Sequence, residues 1–204
     1  MKKKPKSPLG TGAVDLADPA IRPALRSRLL GEHGREADTV LLEELGLCRG
    51  RVRIDIAVVN GLLHGYEIKS DRDSLHRLGT QVDVYGKVLD RATLVVGDRF
   101  LEEALDIVPA WWGVLHVHSA SRALRFRTVR RPRRNPQRDP RALVELLWFD
   151  QAMALMEERN AARGARGKPR RVVWDRVCDR FDVDEIAAAV RARLKTRAAD
   201  LVSS

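Results

Sequence analysis

No apolar run in this 204-residue chain approaches the roughly 20 residues that cross a bilayer, so no membrane span is predicted. The lysine-rich start, Met1 to Gly10, has no hydrophobic stretch behind it, and nothing marks the chain for export. Cysteine is scarce: Cys48 and Cys178 stand far apart and lack the CxxC spacing of a zinc or redox site, so a reduced cytoplasm is the expected setting. No internal repeat is evident. What is present suits a packed interior, with 44% hydrophobic and 32% charged residues. The length predicts one main domain plus a small appendage.

The net charge of +10 is unevenly placed. Residues 1–119 hold 17 Lys+Arg and 17 Asp+Glu, whereas residues 120–204 hold 21 against 11, so the whole excess is C-terminal. A polyanion partner is the natural reading, because each phosphate neutralised by Lys or Arg releases condensed counterions. Binding and chemistry are then expected to be separable, provided that Leu143, Leu146, Leu147 and Trp148 do not cover the core.

Residues 1–17 mix Lys, Pro, Gly and Ser without periodicity and read as a flexible basic tail. A helix is predicted over 22–31, with Pro23 early and Leu25, Leu29 and Leu30 at helical spacing. A second is predicted over 39–46, capped by Asp38, ended by Gly46 and carrying Glu43 and Glu44. The period then changes to two: RVRIDIAVV (51–59), Asn60-Gly61 and LLHGYEIKS (62–70) predict a hairpin. A helix over 74–90 capped by Asp71 or Asp73, a strand over 92–97, a helix over 99–107 and a strand over 112–118 follow. This order predicts an α/β core over 18–120, a mixed sheet flanked by helices. Residues 121–140, rich in Arg and Pro, read as a linker, and 141–204 as a basic helical extension with helices at 141–160, 170–180 and 183–197.

In the hairpin, Ile54, Ile56 and Val58 are predicted on one face and Arg53, Asp55, Ala57 and Val59 on the other; Tyr66 and Ile68 oppose Glu67 and Lys69. Matching the apolar sets brings Asp55, Glu67 and Lys69 together. A two-residue turn would separate the acids, so the loop needs odd length, with Gly61 left-handed, or a bulge at Gly65. Two carboxylates and a lysine on one sheet face repel and desolvate one another unless a divalent cation joins them, and oxygen ligands suit Mg²⁺ or Mn²⁺. Such an ion acidifies water and stabilises charge on a phosphoryl oxygen, and the lysine can orient or activate the water.

An acidic helix, R-x-D in one strand, E-I-K-S in the next, and a helix bearing Gln81 and Tyr85 together resemble the PD-(D/E)XK nuclease superfamily. The pattern is most similar to an uncharacterised bacterial family within it, through the stretch EIKSDRDSLHRL (67–78). The resemblance covers roughly 20–118 and implies a restriction-endonuclease-like fold. It also implies Asp55 as the motif aspartate, Glu67 and Lys69 as the (D/E)XK pair, and Glu44, or alternatively Glu43, as the helical acid. Glu44, Asp55 and Glu67 would hold the metal, with Gln81 in support. Ile54 stands where the motif proline would be. The implied activity is metal-dependent hydrolysis of phosphodiester bonds in DNA. The rival is a nucleic-acid-binding or scaffold protein of the same fold without turnover. His116 and His118 share a strand face but lack a third ligand, so a structural role is expected for both.

Overall fold

The computed structural model describes residues 18–34, 36, 38–120 and 123–202, so the expected basic tail lies outside the described residues. A six-stranded mixed sheet runs in sequence order. Its strands are β1 (Val40–Leu47), β2 (Val52–Val59), β3 (Leu63–Lys69), β4 (Arg91–Val96), β5 (Gly113–Ala120) and β6 (Ala123–Arg130). The β3–β4 and β4–β5 pairs are parallel and the rest antiparallel. The parallel steps are crossed by α2 (Leu78–Val88) and α3 (Leu101–Ile107).

Helix α1 (Asp18–His33) covers one sheet face, placing Ile21, Leu25 and Leu29 against Ile56, Val58, Tyr66, Ile68 and Val95. It starts four residues before the predicted boundary, and those residues include Asp18. The opposite face is buried under α2, α3 and four C-terminal helices, α4 (Pro140–Val144), α5 (Phe149–Glu157), α6 (Arg170–Arg180) and α7 (Val183–Val202).

The helix predicted over 39–46 is instead strand β1. Leu and Glu favour helix intrinsically, but pairing along β2 from Val40↔Val59 to Leu47↔Val52 overrides that preference. Asp38 therefore caps nothing and pairs with Lys195 of α7. Similarly, Asp71 and Asp73 do not cap α2: Asp73 accepts from the Ser70 amide and hydroxyl, and Asp71 accepts from the Arg99 amide.

The segment read as a linker contains β6, and its continuation is anchored by buried Asn135, whose amide donates to the Gly86 and Leu89 carbonyls at 2.7 and 2.8 Å. Leu143, Leu146 and Leu147 are buried in the same core layer as β3–β5, while Trp148 is 58% exposed. The C-terminal helices thus complete the core. Among the described residues no helix is long and apolar enough to cross a membrane.

Candidate active site

The hairpin register is the odd-loop one. Val59↔Leu63 closes a three-residue loop in which the Leu62 amide donates to Asn60 Oδ1 at 3.0 Å, so an Asx turn fixes its length. Gly61 is not left-handed and Gly65 makes no bulge. Gly65 is needed for space instead, since a Cβ there would lie 2.6 Å from Leu89 Cδ1 and 3.1 Å from Ile54.

Regular pairing of β2 with β3 stops at Ile56↔Tyr66. The next position, Asp55 opposite Glu67, is opened by the aspartate itself, whose Oδ2 accepts the Ile68 amide at 2.7 Å. On its other side Asp55 faces Glu44, which interrupts β1 at φ 53 between the pairs Glu43↔Ile56 and Leu45↔Ile54. A left-handed glutamate inside a strand costs about 1–2 kcal/mol, and such strain concentrates at working sites. The face alternation shifts phase here: Ile54 joins the large core layer, not that of Ile56 and Val58 as predicted.

Glu67 is 3% exposed and fully engaged. Lys69 Nζ and Gln81 Nε2 donate to its Oε1, each at 2.6 Å, and the Tyr85 hydroxyl lies 2.6 Å from its Oε2. One turn of α2 separates Gln81 from Tyr85, so both reach the same carboxylate. Burial, then the nearby Asp55 charge, raises the Glu67 pKa above its ordinary range against the pull of Lys69. Asp55 is raised too, burial outweighing the Ile68 amide and Arg22. Both carboxylates therefore carry unrelieved electrostatic cost.

Sequence reasoning missed the residue that holds the acids. Arg22 of α1 binds Asp55 Oδ1 at 2.7 Å, Glu44 Oε1 at 2.9 Å and Asp18 Oδ2 at 3.1 Å. Its own burial disfavours the charge, but Asp55 and Asp18 more than compensate, so its pKa rises. The i, i+4 pair Asp18/Arg22 was its only signal, and such pairs are ordinary helix surface features. Of the two candidate acids on β1, Glu44 lines the cavity and Glu43 pairs with Arg26.

The three-acid metal site expected from sequence is not assembled. Among the described residues no three His, Cys, Asp or Glu side chains converge closely enough to hold an ion. Glu44 is 46% exposed and held by Arg22 and Arg53. The chemistry of Asp55 and Glu67 nevertheless fits a hard divalent cation: two carboxylates lining one cavity, both raised in pKa, together with Gln81, whose Oε1 is a buried acceptor without a hydrogen-bond partner among the described residues. They line a cavity of about 650 Å³ with Arg51, Arg53, Lys69 and Arg77.

The two strand histidines lie side by side on β5, and the Nδ1 of each is buried without a hydrogen-bond partner among the described residues. His116 and His118 stack at 5.2 Å between centroids, and His116 Nε2 lies 2.6 Å from Asp98 Oδ1.

Over 104 residues, 51% of this chain, the sequence is 31% identical to protein cII of Enterobacteria phage P4. The chain covers 39% of that relative's length. Among solved structures, a Silicibacter pomeroyi protein described as of unknown function is similar at 24% identity and a TM-score of 0.42, over 75% of this chain and 97% of its own. The family model described as bacteriophage P4 protein cII matches residues 13–201, and the chain belongs to that family.

Proposed function

We propose that this chain is a metal-dependent nuclease of the PD-(D/E)XK type, cleaving phosphodiester bonds of DNA in the cytoplasm with Mg²⁺ or Mn²⁺. The observation that carries this reading is the opened hairpin, where Asp55 and Glu67 line one cavity and Lys69, Gln81 and Tyr85 all converge on Glu67.

Asp55 and Glu67 would hold the ion. When bound, it supplies charge stabilisation at a phosphoryl oxygen and a more acidic water. Gln81 and Tyr85 fix the Glu67 carboxylate, as partners of metal-binding groups generally do. Lys69 places an ammonium beside that carboxylate, where it can orient water or stabilise developing negative charge. Arg51, Arg53 and Arg77 on the cavity wall supply phosphate contacts. The test is cleavage of labelled DNA and RNA with Mg²⁺ or Mn²⁺, wild type against Asp55→Ala; no metal-dependent cleavage of either polymer would reject turnover.

The rival reading, nucleic-acid binding without turnover, draws on Arg22, a built-in cation at Asp55. The two readings differ over an Arg22→Gln variant. If the guanidinium only stands in for a divalent ion, Mn²⁺ affinity rises about tenfold, the equivalent of one pKa unit of electrostatic interaction. Calorimetric titration showing unchanged or weaker affinity would assign Arg22 a permanent structural role.

The raised carboxylate pKa values also set a pH dependence. Metal binding requires deprotonated Asp55 and Glu67, so affinity falls with acidification in a window beginning above their ordinary values of 3.8 and 4.5. Stability of the metal-free protein runs the other way. The native state holds these protons more tightly than the unfolded chain, so this contribution is fully present below the ordinary carboxylate range and is lost as pH rises through the raised native values. Thermal melts across pH with and without Mn²⁺ should diverge as pH rises; parallel curves would contradict metal binding at this pair.

A further inference from the structure

A second cavity, about 280 Å³, opens on the α1 face of the sheet, whereas Glu67 and Lys69 project from the opposite face. Its floor is the start of β3 and β4. His64 Nε2 meets Thr93 Oγ1 at 2.9 Å, the Tyr66 hydroxyl meets His64 Nδ1 at 3.2 Å, and the two rings stack at 4.3 Å. Burial, aided by Arg91, pushes the His64 pKa down to about 3, so this floor is neutral at physiological pH.

The rim is strongly basic: Arg28, Arg91, Arg130 and Arg131 stand against one carboxylate, Glu32. Glu32 neutralises Arg28 at 2.8 Å. Arg130 directs its guanidinium to the Trp112, Val108 and Pro109 carbonyls, which leaves its charge uncompensated. Arg91 Nε is buried with no acceptor, and neither Arg91 nor Arg131 has an ion-pair partner among the described residues. A buried guanidinium N–H is costly without an acceptor, and Arg forks match phosphate oxygens bidentately. The cavity is just below the roughly 300–1,000 Å³ of small-ligand clefts, which is too small for a duplex. Leu115 and Pro132 give it an apolar side.

We propose that this cavity binds the phosphate group of a small phosphate monoester of nucleotide size, with Arg91 and Arg131 as its charged ligands and the Tyr66 and Thr93 hydroxyls beside it. The site is independent of the Asp55–Glu67 pair and does not rest on nuclease activity.

Calorimetric titration of the full chain, in EDTA at about 0.15 M salt to shorten the range of unspecific attraction, would use inorganic phosphate and a nucleoside 5′-monophosphate as probes. Saturable one-to-one binding of the monophosphate is expected, unchanged in Asp55→Ala and weakened at least about tenfold in Arg91→Gln and Arg131→Gln, the loss of one hydrogen bond to a charged group. Arg131 is exposed, so its variant folds even if Arg91→Gln does not. Lack of saturable binding, or equal affinity in wild type and both arginine variants, would overturn the proposal. Binding abolished by Asp55→Ala would move the ligand to the other cavity and overturn it equally. Arginine-dependent binding of inorganic phosphate alone would overturn the nucleotide-sized class.

Discussion

Asp55→Ala and Lys69→Ala should each lower metal-dependent DNA cleavage by about 10²–10⁴-fold, the range over which positioned catalytic groups act, while the protein still melts cooperatively. Both effects follow from the opened hairpin. Asp55 does two jobs, taking the Ile68 amide that the broken ladder leaves free and presenting its other oxygen to Arg22. Removing it strips the proposed metal site of one of its two carboxylates. The fold survives because Arg22 keeps Asp18 and Glu44 as partners and because the charge removed is one that burial already penalises. Lys69, 6% exposed, pairs with Glu67 as its one carboxylate among the described residues, so Lys69→Ala leaves a buried carboxylate with Gln81 and Tyr85 as neutral donors. Its folded state should therefore be more sensitive to alkaline pH than that of Asp55→Ala. Gln81→Ala and Tyr85→Phe should cost less, about 10–100-fold in metal affinity, since both side chains steady the Glu67 carboxylate. Gel-based cleavage rates with metal titrations measure all four. Full activity in Asp55→Ala would place the chemistry elsewhere.

The pairing of the hairpin was legible because apolar alternation on both strands requires even-with-even pairing, whereas the device that sets the odd loop was not: Asn60, rather than Gly61 or Gly65, fixes it by accepting the Leu62 amide. The strand β1 was not legible. VLLEELGL reads as helix until β2 is present to pair with it, a contact that no local window contains. The same limit hid Arg22, whose function depends on α1 crossing the sheet at Asp55. It also explains β6, where alternate Leu124 and Phe126 pack toward α1 between arginines, so that basic composition masks a period of two. Composition misled most in the C-terminal third, because charge located on exposed positions says nothing about the apolar positions between them.

For that reason the basic C-terminal part cannot be removed to isolate the chemistry. Deleting residues 121–204 should yield a chain that does not melt cooperatively. Leu143, Leu147, Met156, Val173, Val177, Ile186 and Val190 are all buried in the layer shared with β3–β5. At about 1.5–3 kcal/mol per buried apolar side chain, these seven contribute on the order of 10–20 kcal/mol, as large as the roughly 5–15 kcal/mol by which a domain is stable. A single residue tests the same coupling without deletion. Asp90 is 1% exposed and accepts from the Leu63 amide at 2.8 Å, Arg138 at 2.7 Å and Arg191 at 3.0 Å, so it ties β3, the post-β6 segment and α7 at one point. Asp90→Ala leaves two arginines, one of them 7% exposed, without their shared partner. Breaking a buried pair of this kind costs about 3–5 kcal/mol, which should appear as a large fall in the denaturant midpoint at unchanged slope. An Asp90→Ala protein within about 1 kcal/mol of wild type, or a truncated core that melts cooperatively, would show that sheet and C-terminal helices are separate folding units. The charge asymmetry could then be tested by truncation; otherwise it must be tested by neutralising exposed arginines such as Arg163, Arg170 and Arg171, with each lost phosphate contact lowering the salt slope by roughly 0.9.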